Sequence, residues 1–223
     1  MEKTISQHKS YVIQERAVEM QQSLRSAILL LEKDLRMAGY DPEETGEFRL
    51  ENVTQSSMEF TYDRDSDGTL VKGDETFIYE LYGSDLTKLH RMSGGSAIAY
   101  HVEELQFAYA YDADGDNSID KAGGEIIWGV PGGTIGSTWV NLDMNNDGEI
   151  NESDTPGGVS AGTAMNESDI RAVKVWLLVR SSGSDRAYTN TNTYVVGAKH
   201  ITPNDHFRRR LATTTIQLRN IGL

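Results

Sequence analysis

His8 to Tyr40 reads HKSYVIQERAVEMQQSLRSAILLLEKDLRMAGY, and the spacing of its apolar residues predicts one long helix. Leu24, Ile28, Leu31 and Leu35 recur at steps of four, three and four, with Ala17, Ala27 and Ala38 on the same side, so one stripe is apolar. Arg16, Glu19, Gln22, Arg25, Glu32, Lys33 and Arg36 populate the wet side, where Glu32 and Arg36 form a favourable i,i+4 pair. Gly39 can take the left-handed conformation that ends a helix, and Pro42 prevents a restart. Such a stripe needs a partner, which the rest of the chain must supply.

That partner is a sheet. Phe48, Leu50, Met58, Phe60 and Tyr62 alternate with polar residues at the two-residue period of half-buried strands. Residues 75–82 and 85–92 read as a hairpin across Gly83-Ser84. In 102–111, Leu105, Phe107, Tyr109 and Tyr111 share a face opposite Gln106, Ala108 and Ala110, and that face is expected against the helix. Val173, Val175, Leu177 and Val179 make 171–180 the clearest strand. Residues 193–198 follow as a further strand. In the C-terminal strand, Ala212, Thr214, Ile216 and Leu218 face inward, with Thr213, Thr215, Gln217 and Arg219 outward. Residues 112–169 are rich in Gly, Asp, Asn, Ser and Thr and read as an elaborated, acidic insertion. The expected fold is α+β: a helical region, 1–40, laid on the antiparallel sheet of a β-rich head, 41–223, that carries this insertion. Leu24 to Leu35 are assigned to the core, and Tyr11, Val12 and Val18, near the helix start, to subunit contacts.

Three stretches carry this architecture's resemblance to a known family: residues 7–42 (QHKSYVIQERAVEMQQSLRSAILLLEKDLRMAGYDP), 101–111 (HVEELQFAYAY) and 206–220 (HFRRRLATTTIQLRN). They resemble the helix-to-head junction, mid-domain strand and C-terminal strand of PilW-type minor pilins of type IV pili. The resemblance implies a non-enzymatic structural subunit at or near the pilus tip. Its partners would be other minor and major pilins, and its tasks starting fibre growth and presenting an adhesive surface. It also implies residence in the inner membrane facing the periplasm before assembly, then in the extracellular fibre. The family's N-terminal methylation motif and apolar half-helix are not in this sequence, so contact with the membrane would run through that missing segment. A basic leader, a processing site, a glutamate five residues on and about 20 apolar residues are expected upstream. The J-type pseudopilins of type II secretion share the architecture and are the nearest alternative.

Composition narrows the chemistry. A formal charge of −13 over 223 residues opposes binding to nucleic acid or an anionic membrane surface. The absence of cysteine removes disulfides, thiolate metal sites and cysteine nucleophiles. Its five histidines are scattered, without a zinc-protease motif, a phosphate loop or a nucleophile elbow, so no catalytic set is expected. Arg208 to Arg210 are expected to pair with the protein's own carboxylates.

Three acidic stretches instead match the spacing of calcium loops, in which oxygens at positions one, three, five and seven converge on a hard cation. DRDSDGTLVKGD offers Asp63, Asp65, Asp67, the Thr69 carbonyl and Asp74. DADGDNSID offers Asp112, Asp114, Asp116, the Ser118 carbonyl and Asp120, with Asn117 where glycine is usual. DMNNDGEINESD offers Asp143, Asn145, Asp147, the Glu149 carbonyl, Asn151 and Asp154. A structural Ca2+ is expected, because carboxylates crowded this closely repel one another without a cation. The last stretch also resembles a dockerin repeat, which makes a calcium-dependent scaffold module the alternative of another class.

Overall fold

The computed structural model describes residues 2–82, 87–91, 97–132 and 138–222, and of residues 2–10 the backbone alone. Helix α1 runs from Glu2 to Leu35. Its stripe is buried from Met20 onward, with Ala27, Leu31, Leu35 and Ala38 fully enclosed and Ile28 half-buried. From Tyr11 to Glu19 exposed and half-buried positions alternate: Tyr11 is 63% and Val18 52% exposed, while Val12, Ile13, Arg16 and Ala17 are half-buried. Arg16, expected on the wet side, lies half-buried on Gly183 and donates to the Ser184 carbonyl at 3.4 Å. The glycine leaves room for the guanidinium.

The α1 stop follows the sequence. Its last turn tightens, with Met37 N–H bonding to Asp34 O at 2.9 Å, and Gly39 then takes φ +75°. Gly39 N–H bonds across to Thr61 O at 2.9 Å, and a Cβ here would fall 2.8 Å from Asn220 O and collide with Ile221. Only glycine fits both the conformation and the approach.

A five-stranded antiparallel sheet comes next: β1 Leu50–Val53, β2 Met58–Thr61, β3 Thr76–Tyr82, β4 Lys88–His90 and β5 Ala97–Tyr100, side by side in chain order. β3 and β4 pair as the expected hairpin, whose Gly83-Ser84 turn lies outside the described residues. Phe60, Tyr62 and Phe77 stack on its inner face, Tyr62 on Phe77 at 4.4 Å. The remaining strands are β6 Val102–Tyr111, β7 Lys121–Ala122, β8 Glu125–Ile126, β9 Gly129–Pro131, β10 Thr138–Asn141, β11 Val159–Ala164, β12 Ile170–Arg180, β13 Tyr194–Val196, β14 Lys199–Ile201 and β15 Arg209–Gln217. Six of them form a second sheet in the order β11-β10-β9-β6-β12-β15, while β7–β8 and β13–β14 are separate ribbons.

α1 packs on β5, β12 and β15. The face of β6 expected against the helix is covered instead by the first sheet: Phe107 N–H bonds to Gln55 O and the Tyr109 hydroxyl to Thr54 O, both at 2.8 Å. A helix about 10 Å wide spans two strands spaced about 4.8 Å apart. Over β12 and β15 it has no width left for β6.

β12 is covered on both faces. Val173, Val175, Leu177 and Val179 join the helix-side core, as the alternation predicts. Trp176 and Leu178 on its other face belong to a second core with Ala108, Ala110, Trp128, Val130, Leu142 and Val196. That core is covered by residues 126–130 and 140–142 and by β13, not by the helix. β15 keeps the expected alternation, with Ile216 and Leu218 buried and Thr213, Thr215 and Gln217 exposed. Among the described residues no helix is long and apolar enough to cross a membrane.

Candidate functional site

The three acidic loops leave the head between strands and turns; among the described residues no α-helix flanks them, so the helical half of a dockerin repeat has no counterpart here. All three share one backbone plan. Position four is left-handed in each (Ser66 φ 63°, Gly115 φ 75°, Asn146 φ 55°), and so is position six (Gly68 φ 70°, Asn117 φ 64°, Gly148 φ 87°). Asn117 thus does what glycine does in the other two. The first aspartate of each is buried (Asp63, Asp112 and Asp143), and both its oxygens accept loop N–H groups. Asp63 accepts from Ser66 at 2.6 Å and Gly68 at 3.1 Å; Asp143 accepts from Asp147 at 3.2 Å and Gly148 at 2.8 Å.

A second carboxylate ties the base of each loop. Asp154 accepts the N–H groups of Met144 and Asn151 at 2.8 and 2.9 Å. Glu75 makes the equivalent pair, with Arg64 and Val71, both at 2.8 Å, while Asp74 stands exposed. Asp120 accepts from Ala113 at 3.3 Å. Burial, and then the charges of Asp114, Asp112 and Asp116, push the Asp120 carboxyl above its ordinary range.

The loops differ in how their charge is balanced. Asp63, Asp65 and Asp67 bring one oxygen each within 4.8 Å of one another, and so do Asp112, Asp114 and Asp116. In the second loop Arg171 already reaches Asp112 at 3.1 Å. In the third, the Asn145 amide nitrogen donates to Asp147 at 2.8 Å, and Asp143 and Glu149 act on Lys174. Burial lowers the Lys174 ammonium pKa; the group lies 5.3 Å from the Trp128 ring centre and 5.6 Å from that of Trp176. Asp147 is held below its usual range by the Glu149 N–H and the Asn145 side chain. In the first loop no basic side chain pairs with Asp63, Asp65 or Asp67 among the described residues. Thr69, Ser118 and Glu149 occupy position seven, all exposed, and Asn151 is half-buried beside Asp154. Sequence reasoning missed Glu75, Arg171 and Lys174. Glu75 was within reach, being one residue past the expected position.

The arginine run resolves as ion pairs for two of its three members. Arg208 meets Asp185 at 2.9 Å, and Arg209, 3% exposed, bridges Glu103 and Asp205, while Arg210 is exposed.

One long helix among the described residues, seated on antiparallel sheets, makes an α+β, pilin-like architecture. The family model described as Prepilin peptidase-dependent protein B matches residues 14–154, more than half of the chain, and that of Type IV Pilus-assembly protein W matches residues 133–220. The chain belongs to the prepilin peptidase-dependent protein B family and is a minor pilin of the PilW type. The resemblance drawn from residues 7–42, 101–111 and 206–220 is borne out. Among solved structures, a Type IV-like pilin from Thermus thermophilus is 16% identical, with 91% of this chain and 98% of that one aligned at a TM-score of 0.49. No curated protein matches the sequence.

Proposed function

We propose that this chain is a structural, non-enzymatic subunit at or near the tip of a type IV pilus, where it helps to start fibre growth and presents a head that contacts surfaces. The observation that carries this is the division of α1: a stripe buried from Met20 to Leu35 that fixes the head, and a less covered stretch before it where Tyr11 and Val18 are exposed and Val12 half-buried, read here as the contact for neighbouring pilins. Family membership supports a place among pilins. The test is Tyr11→Glu with Val18→Glu in the encoding organism, read by pilus counts in electron micrographs and by secretion of type II substrates. Loss of pili with secretion intact and the head still folded is expected. Normal piliation refutes the reading, and loss of secretion alone assigns the chain to a type II system instead.

The acidic loops are read as structural Ca2+ sites. Their donors are all hard oxygens, and the first and second loops each gather three carboxylates within 4.8 Å. In the first loop Asp63, Asp65, Asp67 and the Thr69 carbonyl would hold the ion, with Glu75 keeping the loop closed; the second would use Asp112, Asp114, Asp116, the Ser118 carbonyl and Asp120. The third offers Asp143, Asn145, Asp147, the Glu149 carbonyl, Asn151 and Asp154, with the Asn145 amide turned over. A bound divalent ion would neutralise the carboxylate crowding that otherwise weakens the folded state.

A further inference from the structure

The outer edge of β15 is a ready template for another strand. Leu218 N–H bonds to Arg171 O at 2.9 Å and Ser181 N–H to Arg208 O at 2.8 Å, both in register with the β12–β15 ladder. Antiparallel partners alternate between bonded and non-bonded pairs, so Arg210, Ala212, Thr214 and Ile216 turn their backbone groups to β12. Leu211, Thr213, Thr215 and Gln217 turn theirs outward, and among the described residues nothing bonds them. Proteins blunt such edges with proline, lysine, bulges or short strands. β15 has no proline, lysine or register shift over its nine residues, and its charges, Arg209 and Arg210, stand at its start. The opposite edge of the same sheet, β11, is blunted: it is six residues long, with a register shift against β10 and Gly162 at φ +71°.

The flank of this edge has its own chemistry. α1 runs alongside β15, Glu32 accepting from the Thr214 hydroxyl at 2.6 Å and Asn220 donating to Arg36 O at 3.2 Å. Between helix and strand lies a groove of about 410 Å3 lined by Leu24, Ile28, Leu29, Leu211 and Ala212, with Arg25 and Arg210 at its rim. Leu29, 67% exposed, is the most open large apolar side chain described. Arg25 and Arg210 line this groove, where Glu32 is the acidic residue among those described, in a protein whose net charge is −13. Glu32 itself is taken up by Arg36 and Thr214.

We infer that the free edge of β15 adds a strand from a different protein: an extended, acidic segment whose backbone pairs with Leu211 to Gln217. Its apolar side chain settles on Leu29 and its carboxylates meet Arg25 and Arg210. Self-pairing of β15 across a two-fold would bring two arginine-lined rims together, which like charges disfavour. This inference does not rest on the fibre reading, since it uses the isolated chain.

The probe is a fluorescein-labelled peptide, TETVTETVT, measured by anisotropy against its lysine counterpart, TKTVTKTVT, at low and high salt. The glutamate peptide is expected to bind at least about tenfold more tightly, to weaken as salt rises, and to slow amide exchange at Leu211, Thr213 and Thr215 while leaving the already paired Ala212 and Thr214 unchanged. Thr213→Pro removes an outward N–H and no ladder bond. It should cut affinity about tenfold or more at an unchanged melting temperature; should it fail to fold, Arg210→Glu with Arg25→Glu is expected to reverse the preference between the two peptides. Absence of binding, equal binding of both peptides, or binding without protection of the edge amides overturns the inference. So does protection that appears only with concentration-dependent self-association, which would make a second copy the occupant.

Discussion

Arg91 is where one substitution should reveal most about how the head holds its helix. Asp34, on the buried side of α1 and 1% exposed, accepts from Arg91 Nε at 2.5 Å, from its Nη2 at 3.0 Å and from the Tyr79 hydroxyl at 2.6 Å. Burial and then the Asp34 charge push the Tyr79 phenol far above its usual range, so it stays a donor at every working pH. Arg91→Met keeps the apolar stem and removes the guanidinium, leaving the Asp34 carboxylate enclosed with the Tyr79 hydroxyl as its neutral donor. Losing one partner of a buried pair costs about 3 to 5 kcal/mol. The Arg91 side chain is 27% exposed, so water already reaches it and the lower end, about 3 kcal/mol, is expected. For a domain of this size that lowers the melting temperature by roughly 6 to 12 °C. Urea unfolding at pH 7 measures it. In an Asp34→Asn background the same Arg91→Met change should cost only about 1 kcal/mol, because no buried charge is then abandoned. A loss under 1 kcal/mol in the single variant, or strictly additive losses in the double, would refute the reasoning.

Other outcomes follow from the same geometry. Gly39→Ala should cost about 2 kcal/mol or more, from the left-handed backbone and from Ile221, and calorimetry showing an unchanged melting temperature contradicts it. If Ca2+ binds with a dissociation constant of ~10⁻⁴ to 10⁻³ M, 10 mM of it stabilises the fold by about 1.4 to 2.7 kcal/mol. Asp63→Asn should remove more of that gain than Asp112→Asn, because Arg171 already balances Asp112; identical melting curves with chelator and with calcium dispose of the idea. Arg209 holds the Asp205 carboxyl down to about 2, so its contribution to stability is complete above pH 4 or so and is lost as pH falls towards 2. Asp205→Asn should therefore flatten the acid limb of the stability curve, and parallel limbs in the two proteins would count against that assignment.

What was legible in the sequence was whatever repeats locally. The stripe from Leu24 to Leu35, the stop at Gly39 and the alternations in 102–111, 171–180 and 209–218 each announce an element because burial follows backbone period. Aspartates at every second position likewise announced three loops with one backbone plan. Pairings between distant residues carry no such period. Asp34 belongs to no period, and nothing near it in sequence names Arg91 or Tyr79. Arg16 looked solvated because the cavity that receives it is made at Gly183. The second core was hidden for a related reason: the alternation in 171–180 names only the face of Val173, Val175, Leu177 and Val179, while Trp128, Val130 and Leu142, which cover Trp176 and Leu178, sit in a segment whose composition reads as loop.

The seat of the helix on β12 and β15 bears on how the chain reaches its native state. The apolar stripe of α1 is synthesised more than 170 residues before β15, one of the strands it packs on. Until that strand has paired with β12, Leu24, Leu31 and Leu35 lack part of their cover, and closing so large a loop makes the pairing slow. The nascent chain therefore carries an incompletely covered apolar ridge until β15 has been made. A chain cut before residue 209 should aggregate rather than fold in part.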